Sequence, residues 1–271
     1  METLKKTAEY EDLKELNFSP MGITYGPFQS RRLGLSLGIN LLGSTNKICS
    51  FDCPYCELGF TKLKMSEMKK SENYPSLEAI DSHVRQHLLI LSKQNTTFNY
   101  ITLSGNGEPT LYPDFPEAIT LLKKIRDELC PESKLVVMSN GTTLDSAKIV
   151  RALNLLDERM IKLDAGNDEM LKKVGSPLVR MTLAKLIQGA KKLKDTTLQS
   201  FFVQGAIDNT IPSEVEDWVE VVGIIRPKVV HLYSLDRVPA LSGLKQVPSQ
   251  RLKEIASTLQ KRTSIKGIVF S

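Results

Sequence analysis

The chain is predicted to be an α/β protein built on a parallel sheet, and three observations predict it. Short β-rich runs such as NYITLS (99–104), KLVVMS (134–139) and RMIKLD (159–164) recur along the chain. Segments with helical apolar spacing separate them. Several of the runs are continuously apolar, as strands covered by helices on both faces are. A barrel and an open doubly wound sheet both satisfy this pattern. In either, groups that do chemistry belong on the loops after the C-terminal ends of the strands.

The elements follow in order. The first ~20 residues read as a polar amphipathic lead-in. Residues 33–42 open the first strand region. Ser76 caps a helix whose apolar positions are Leu77, Ile80, Val84, Leu88 and Leu91. After the strand at 99–104, Asp114 starts a helix with Pro116 in its first turn and Glu117 three residues on. A strand at 134–139 leads to a helix at 145–156, and a strand at 159–164 to a helix at 177–194. A strand at 197–205 follows. Ser213 and Glu216 form a capping box ahead of Val215, Trp218, Val219 and Val222. A strand at 228–235, a last helix capped by Ser249 through Leu252, Ile255 and Leu259, and a strand at 265–270 complete the chain. Residues 1–271 are expected to form one core domain, with 1–30 as an N-terminal extension.

Of the 271 residues, 41% are hydrophobic and 25% charged, which is ordinary globular composition. The net charge of +5 permits an anionic partner without demanding one. No apolar run approaches the ~20 residues that span a bilayer, and the opening residues lack the apolar centre of a secretory signal. A cytoplasmic protein with no membrane partner is therefore expected. Three of the four cysteines fall within eight positions, too close to pair off as a disulfide framework. In a reducing compartment they read as metal ligands.

Those three are Cys49, Cys53 and Cys56 in CSFDCPYC. A closed zinc site wants four ligands, and only three are local. Cys130 would have to supply the fourth, either to zinc or to a structural iron–sulfur site; otherwise it is a small buried hydrophobe. Three thiolates on a four-iron cube instead leave one iron open, as catalytic metal sites require. After the next strand comes Gly105-Asn106-Gly107-Glu108-Pro109-Thr110. Glycines let backbone approach a ligand closely, and Glu108 could accept a charge-assisted hydrogen bond from an ammonium.

The CxxxCxxC spacing, with aromatic Tyr55 before the last cysteine, resembles the signature of the radical S-adenosylmethionine (SAM) superfamily. The Gly105, Gly107 and Glu108 loop resembles that family's second motif, with Asn106 separating two glycines that are usually adjacent. The resemblance implies a partial (β/α)6 TIM-type barrel of six strands plus a terminal one. It implies one 4Fe-4S cluster on Cys49, Cys53 and Cys56, with SAM chelating the open iron. It further implies reductive cleavage of SAM to a 5′-deoxyadenosyl radical that takes hydrogen from substrate, and an electron donor such as flavodoxin or ferredoxin. By the same resemblance, Tyr55 lies near the adenine, Glu108 holds the methionine amino group, and Ser139, Asn140, Asp164 and Gln204 contact ribose or carboxylate. Turn chemistry alone also explains those four residues.

The run YGPFQSRRLG (25–34), then SLGIN (36–40) and CELG (56–59), is similar to a stand-alone branch related to the tRNA wybutosine-synthesis enzymes. Those enzymes carry upstream cysteines for a second cluster, and this chain has none before Cys49. A small-molecule or peptide substrate is therefore expected over tRNA. The basic residues Lys62, Lys64, Lys69 and Lys70 near the site are interspersed with Glu57, Glu67 and Glu72. An iron–sulfur carrier without SAM cleavage is the reading outside enzymes, and the retained glycine–glutamate loop argues against it.

Arg31 and Arg32 precede the first strand and could grip a phosphate or carboxylate, or lie solvated. In VVHLYSL, His231, Tyr233 and Leu235 share the face opposite Val230 and Leu232, which points His231 and Tyr233 into the barrel. Lys162 shares a face with Asp164. These five, Arg31, Arg32, Lys162, His231 and Tyr233, are the substrate-facing candidates. His83 and His87 stand four apart on a helix but have no third ligand.

Overall fold

The structure is a computed structural model that describes residues 22–43, 46–63, 65–68 and 74–270. Its centre is an eight-stranded sheet in the order β1-β2-β3-β4-β5-β6-β8-β10. The strands are β1 (Thr24–Ser30), β2 (Gly34–Ile39), β3 (Tyr100–Leu103), β4 (Lys134–Ser139), β5 (Glu158–Lys162), β6 (Thr197–Phe201), β8 (Val229–Tyr233) and β10 (Gly267–Phe270). From β2 to β10 every pairing is parallel, and β1 alone runs antiparallel, against β2. The sheet curls into a half-barrel of six core strands plus a terminal one, as the resemblance implies, with β1 added at one edge. A separate ribbon pairs β7 (Gln204–Gly205) with β9 (Leu244–Lys245).

Helices cover the outer face. They are the one-turn α1 (Met65–Met68), α2 (Leu77–Lys93), α3 (Phe115–Leu129), α4 (Ala147–Leu153), α5 (Asp168–Gly175), α6 (Leu183–Ala190), α7 (Pro212–Ile225) and α8 (Ser249–Thr263). The spacing read for α2 is realised: Ile80, Val84, Leu88 and Leu91 are its buried residues, and Ser76 Oγ accepts from the Ala79 N–H at 3.2 Å. In α7, Trp218 is fully buried, and its indole N–H donates to the Leu163 carbonyl and to Ser200 Oγ, both at 3.1 Å. That satisfies its single donor inside the core.

Five expectations change. Residues 24–30, assigned to the extension, form β1. The 177–194 helix shrinks to α6, because its start is held on the cysteine loop, with Phe51 bridging Pro177 and the Leu178 N–H donating to Ser50 O. Asp168–Gly175 folds as an unforeseen helix, capped by Asn167. The serine caps proposed at Ser213 and Ser249 do not form. α7 starts at Pro212 behind Ile211, and Ser249 is the first helical residue behind Pro248. Proline's preset φ starts α7 without a side-chain cap. The 197–205 strand breaks after Phe201, where Asn209 Oδ1 takes the Val203 N–H at 2.8 Å and turns the chain away. The lead-in at 1–20 lies outside the described residues.

Candidate active site

Ile48, fully buried beside Cys49, ties the cysteine loop to the glycine loop. Its N–H donates to Asn106 O at 2.8 Å, and its carbonyl accepts from the Glu108 N–H at 2.9 Å. The register needs glycine at position 107. Gly107 has φ +144°, and a Cβ there would lie 1.8 Å from the Ile48 carbonyl oxygen. Gly105 is similar, with φ +142° and Asn40 in the way at 2.7 Å. The expected close approach of glycine backbone is present, and what approaches is the segment that carries the first cysteine.

Glu108 is 2% exposed and joins the ends of two strands. Its Oε1 accepts from Thr110 N (3.2 Å), Thr110 Oγ1 (2.6 Å) and Ser139 Oγ (2.8 Å), and its Oε2 accepts from Asn140 N (2.6 Å). Burial raises its pKa above the usual carboxylate value, and the bonds from Asn140, Thr110 and Ser139 pull the other way. Ser139 and Asn140, read as ligand contacts, are thus partners of Glu108. Asn140 Nδ2 also donates to Ser50 Oγ at 3.0 Å and approaches Cys49 Sγ at 3.6 Å.

The three cysteines are half-buried and free. Among the described residues, no three His, Cys, Asp or Glu side chains converge on one point as ligands of a single ion. A cluster that takes each thiolate on a different iron needs no such convergence, so the donor set fits a cube better than zinc. Cys130 closes the C-terminus of α3, beside the start of β4 and at the opposite end of the barrel from the cysteine loop, so it is no fourth ligand. Burial, followed by the charge of Glu108, pushes the Cys49 thiol up to about 12, so the proton has to be displaced by a cation. The Phe51 N–H and Asn140 Nδ2 both point at its sulfur.

Sequence reasoning missed Lys47. Its side chain is 4% exposed, and its Nζ donates to Asp52 Oδ1 (3.0 Å) and the Gly59 carbonyl (2.8 Å), gripping the cysteine loop at two points. Burial disfavours its charge, but the Cys56 and Cys49 thiolates and Asp52 outweigh burial and leave its pKa raised. Asp52 in turn accepts from the backbone and hydroxyl of Thr61. No local pattern signals a lysine whose partners are set by loop closure.

Tyr55, Lys162 and Asp164 meet at the barrel mouth. Tyr55 donates to Asp164 Oδ2 at 2.5 Å and stacks on Phe201, and Lys162 bonds both Tyr55 and Asp164. Asp164 Oδ1 also holds the Phe201 N–H at 2.9 Å. Gln204 stands apart, with its amide on Thr210 Oγ1. Lys162 therefore faces the mouth as expected, already paired. The two arginines separate. Arg31 is exposed and pairs with Asp236 at 3.2 Å, whereas Arg32 turns inward, over Tyr233 at 4.3 Å and onto Gln199 Oε1 at 2.5 Å. His231 is buried against Phe270, and Tyr233 stands edge-on to Phe201.

His83 bonds the Ala79 carbonyl and His87 bonds Thr24 Oγ1, so they form no metal pair. Lys62 is exposed, and Lys64, Lys69, Lys70 and Glu72 lie outside the described residues. Across the mouth, the Leu241 N–H donates to the Pro54 carbonyl at 2.8 Å and Arg237 pairs with Glu57.

Residues 44–226 match the family model of the radical SAM superfamily, and both motif loops fall inside that span. The chain belongs to the radical SAM superfamily. Membership in the superfamily implies a 4Fe-4S cluster and SAM as cofactors. Among curated relatives, it is 28% identical over 209 residues to UPF0026 protein slr1464 of Synechocystis, covering 77% of this chain and 73% of that protein. It is 32% identical over 167 residues to a UPF0026 protein of Helicobacter pylori, 62% of this chain and 50% of that one. A third relative is named GTPase Obg, from Brachyspira hyodysenteriae; 28% identity over 247 residues covers 89% of this chain but spans only 34% of that protein. The chain has no GxxxxGK[ST] phosphate loop of its own.

Solved radical SAM structures share the fold at low identity. TYW1 with a lysine-pyruvate adduct superposes with a TM-score of 0.63 at 14% identity, covering 94% of this chain and 81% of that one. A radical SAM methyltransferase from Sphaerobacter thermophilus gives 0.64 at 15% identity, covering 86% and 65%. No helix among the described residues is long and apolar enough to cross a membrane.

Proposed function

We propose that this chain is an enzyme that uses one 4Fe-4S cluster on Cys49, Cys53 and Cys56, together with SAM, to act on a small-molecule or peptide substrate in the barrel. The observation that carries the reading is the pair of backbone bonds through Ile48, which makes the cysteine and glycine loops one rigid unit. A cluster carrier has no use for a second loop locked beside its thiolates. When bound, the cluster and SAM would supply a 5′-deoxyadenosyl radical able to take hydrogen from substrate. The chain's own residues bind and tune. The Phe51 N–H and Asn140 Nδ2 offset charge on the Cys49 sulfur, and Lys47 does so from behind the loop. Glu108 carries three bonds on Oε1 and one on Oε2, so one acceptor site on Oε2 stays available for an amino group. Tyr55, Lys162 and Asp164 guard the mouth. The electron would come from a donor such as flavodoxin or ferredoxin.

Ion pairing at the mouth supports the substrate class. Among the described residues, Arg31, Arg237 and Lys47 are each paired with a carboxylate, which takes three cations out of reach of a phosphate backbone. The test is anaerobic reconstitution followed by dithionite and SAM. About four irons per chain are expected, by the cluster logic above, and 5′-deoxyadenosine should accumulate. Iron uptake with no 5′-deoxyadenosine would reduce the protein to a carrier. Modified nucleoside appearing in added tRNA would replace the substrate class.

A further inference from the structure

We propose that the barrel lumen holds a carboxylate-binding site centred on Arg32 and completed by His231, where the substrate of the reaction proposed above is anchored by a carboxylate; the site's role as a substrate site rests on that reading. The turn between β1 and β2 sends Leu33 into the lumen, packed on Val136 of β4 and Met160 of β5. Arg32 beside it reaches across to β6 and β8. Every partner of its guanidinium is neutral: Gln199 Oε1 at 2.5 Å, Met138 Sδ at 3.7 Å and the Tyr233 ring at 4.3 Å. Among the described residues, no carboxylate lies within ion-pair distance of it, whereas the neighbouring Arg31 has Asp236. Gln199 is itself fixed, since its Nε2 donates to the Met160 carbonyl at 3.2 Å, so the guanidinium is held in place.

A guanidinium cannot shed its proton, so this charge stays without an ion pair inside the barrel; Glu158, the carboxylate whose field reaches His231, is bonded to Tyr100 and Lys134. Directly across the β6–β8 register from Gln199 stands His231, 8% exposed, whose Nδ1 has no hydrogen-bond partner. A buried nitrogen in that condition is destabilising, and the protein keeps it. Burial and then Arg32's charge hold the imidazole down to about 4, so it is neutral at physiological pH and offers a hydrogen bond without a second positive charge. One cation and one neutral donor match the single negative charge and two oxygens of a carboxylate, which guanidinium binds bidentately. A phosphate dianion would need a second cation, and Lys162 is already committed to Asp164.

The experiment is ligand-observed NMR on the reconstituted full chain at saturating SAM. The probes are propionate, succinate and benzoate, each against its amide, with inorganic phosphate as a further arm. The acids should bind and the amides should not. Arg32→Gln should weaken the acids about ten- to a hundredfold, the loss expected of a charged hydrogen bond. Arg32→Lys, which keeps the charge but not the fork, should fall between, and Arg31→Gln should change little. Equal binding of amides, unchanged binding in Arg32→Gln, or an equal loss in Arg31→Gln overturns the assignment. Phosphate binding tighter than every acid overturns the carboxylate, and displacement of the acids by SAM overturns a separate site. Should Arg32→Gln fail to fold, Arg32→Lys and the acid–amide comparison on the wild type decide. 5′-Deoxyadenosine formation by the wild type is scored in parallel. Acid binding without it refutes the radical reading alone, and its formation without acid binding refutes this site alone.

Discussion

Glu108 is the residue whose replacement tests the most of this architecture. Replacing it with Gln keeps the shape and removes the charge. Four donors converge on the carboxylate, at 3.2, 2.6, 2.8 and 2.6 Å. In its better orientation the amide keeps its oxygen toward Thr110 and Ser139 and turns its own N–H groups on the Asn140 N–H. One charge-assisted bond is lost, a buried N–H goes unmet, and the three remaining bonds weaken. Relief of the buried charge offsets part of this, since burial already raises the Glu108 pKa. The net loss is about 2–3 kcal/mol, which for a chain of this size lowers Tm by about 4–5 °C. Glu108→Ala, which strands all four donors and opens a cavity, should cost more than Gln. The assay is thermal melting of both variants beside iron content after reconstitution. Gln should still take up iron, because the Glu108 N–H to Ile48 O bond is backbone and survives. Melting of both variants within a degree of wild type would refute Glu108 as the strut between the strand ends. Unchanged SAM affinity in a folded Gln variant would refute the amino-group role of Oε2.

Replacing Cys49, Cys53 or Cys56 by Ala should abolish iron binding while Cys130→Ala keeps it, measured as iron and sulfide per chain; iron loss in the Cys130 variant would mean the α3 terminus is not where the structure puts it. Gly107→Ala forces a Cβ to within 1.8 Å of the Ile48 carbonyl, so the two loops must separate, and urea melts together with iron content should both fall. His231 has an ordinary pKa of 6.5 and a folded value of about 4, so between these values the unfolded chain binds the extra proton and stability is lost as the pH is lowered. Lowering the pH from about 7.5 to about 5 should cost roughly 2 kcal/mol through this residue, and His231→Gln should lose that part of the slope in paired urea melts. An identical slope in the variant would show that His231 is protonated in the fold.

What the sequence made legible was local. The α2 spacing from Ile80 to Leu91 and the thiols in CSFDCPYC each declare themselves within a few residues. β1 did not, because TYGPFQS carries Gly26 and Pro27 in its middle and reads as a turn until β2 supplies a partner. The stretch from Pro177 misled for the opposite reason: it has helical composition, but backbone pairing with Ser50 and Phe51 holds its start on the cysteine loop, and tertiary pairing outweighs propensity. At the site, the glycines and Glu108 stand out in the sequence, but their packing partners do not. The four groups that engage Glu108 come from Thr110, Ser139 and Asn140, and the last two sit at the C-terminal end of β4. Arg31 and Arg32 are indistinguishable in sequence, and only the path of the β1–β2 turn separates a surface ion pair from a lumen cation.

The pairing of the cysteine loop with residues 175–178 has a consequence for assembly. The Asp52 N–H reaches Gly175 O and Ser176 O, and the Ser50 carbonyl takes the Leu178 N–H, all partners far downstream. Such long-range closure comes late in folding. A nascent chain that has emerged only as far as β4 has its thiols and the Ile48 bonds to the glycine loop, but not the bonds from residues 175–178. The cysteine loop is fully closed only once α5 and the segment after it have been synthesised and docked, which makes the second half of the chain the timer for completing a loop carried by the first.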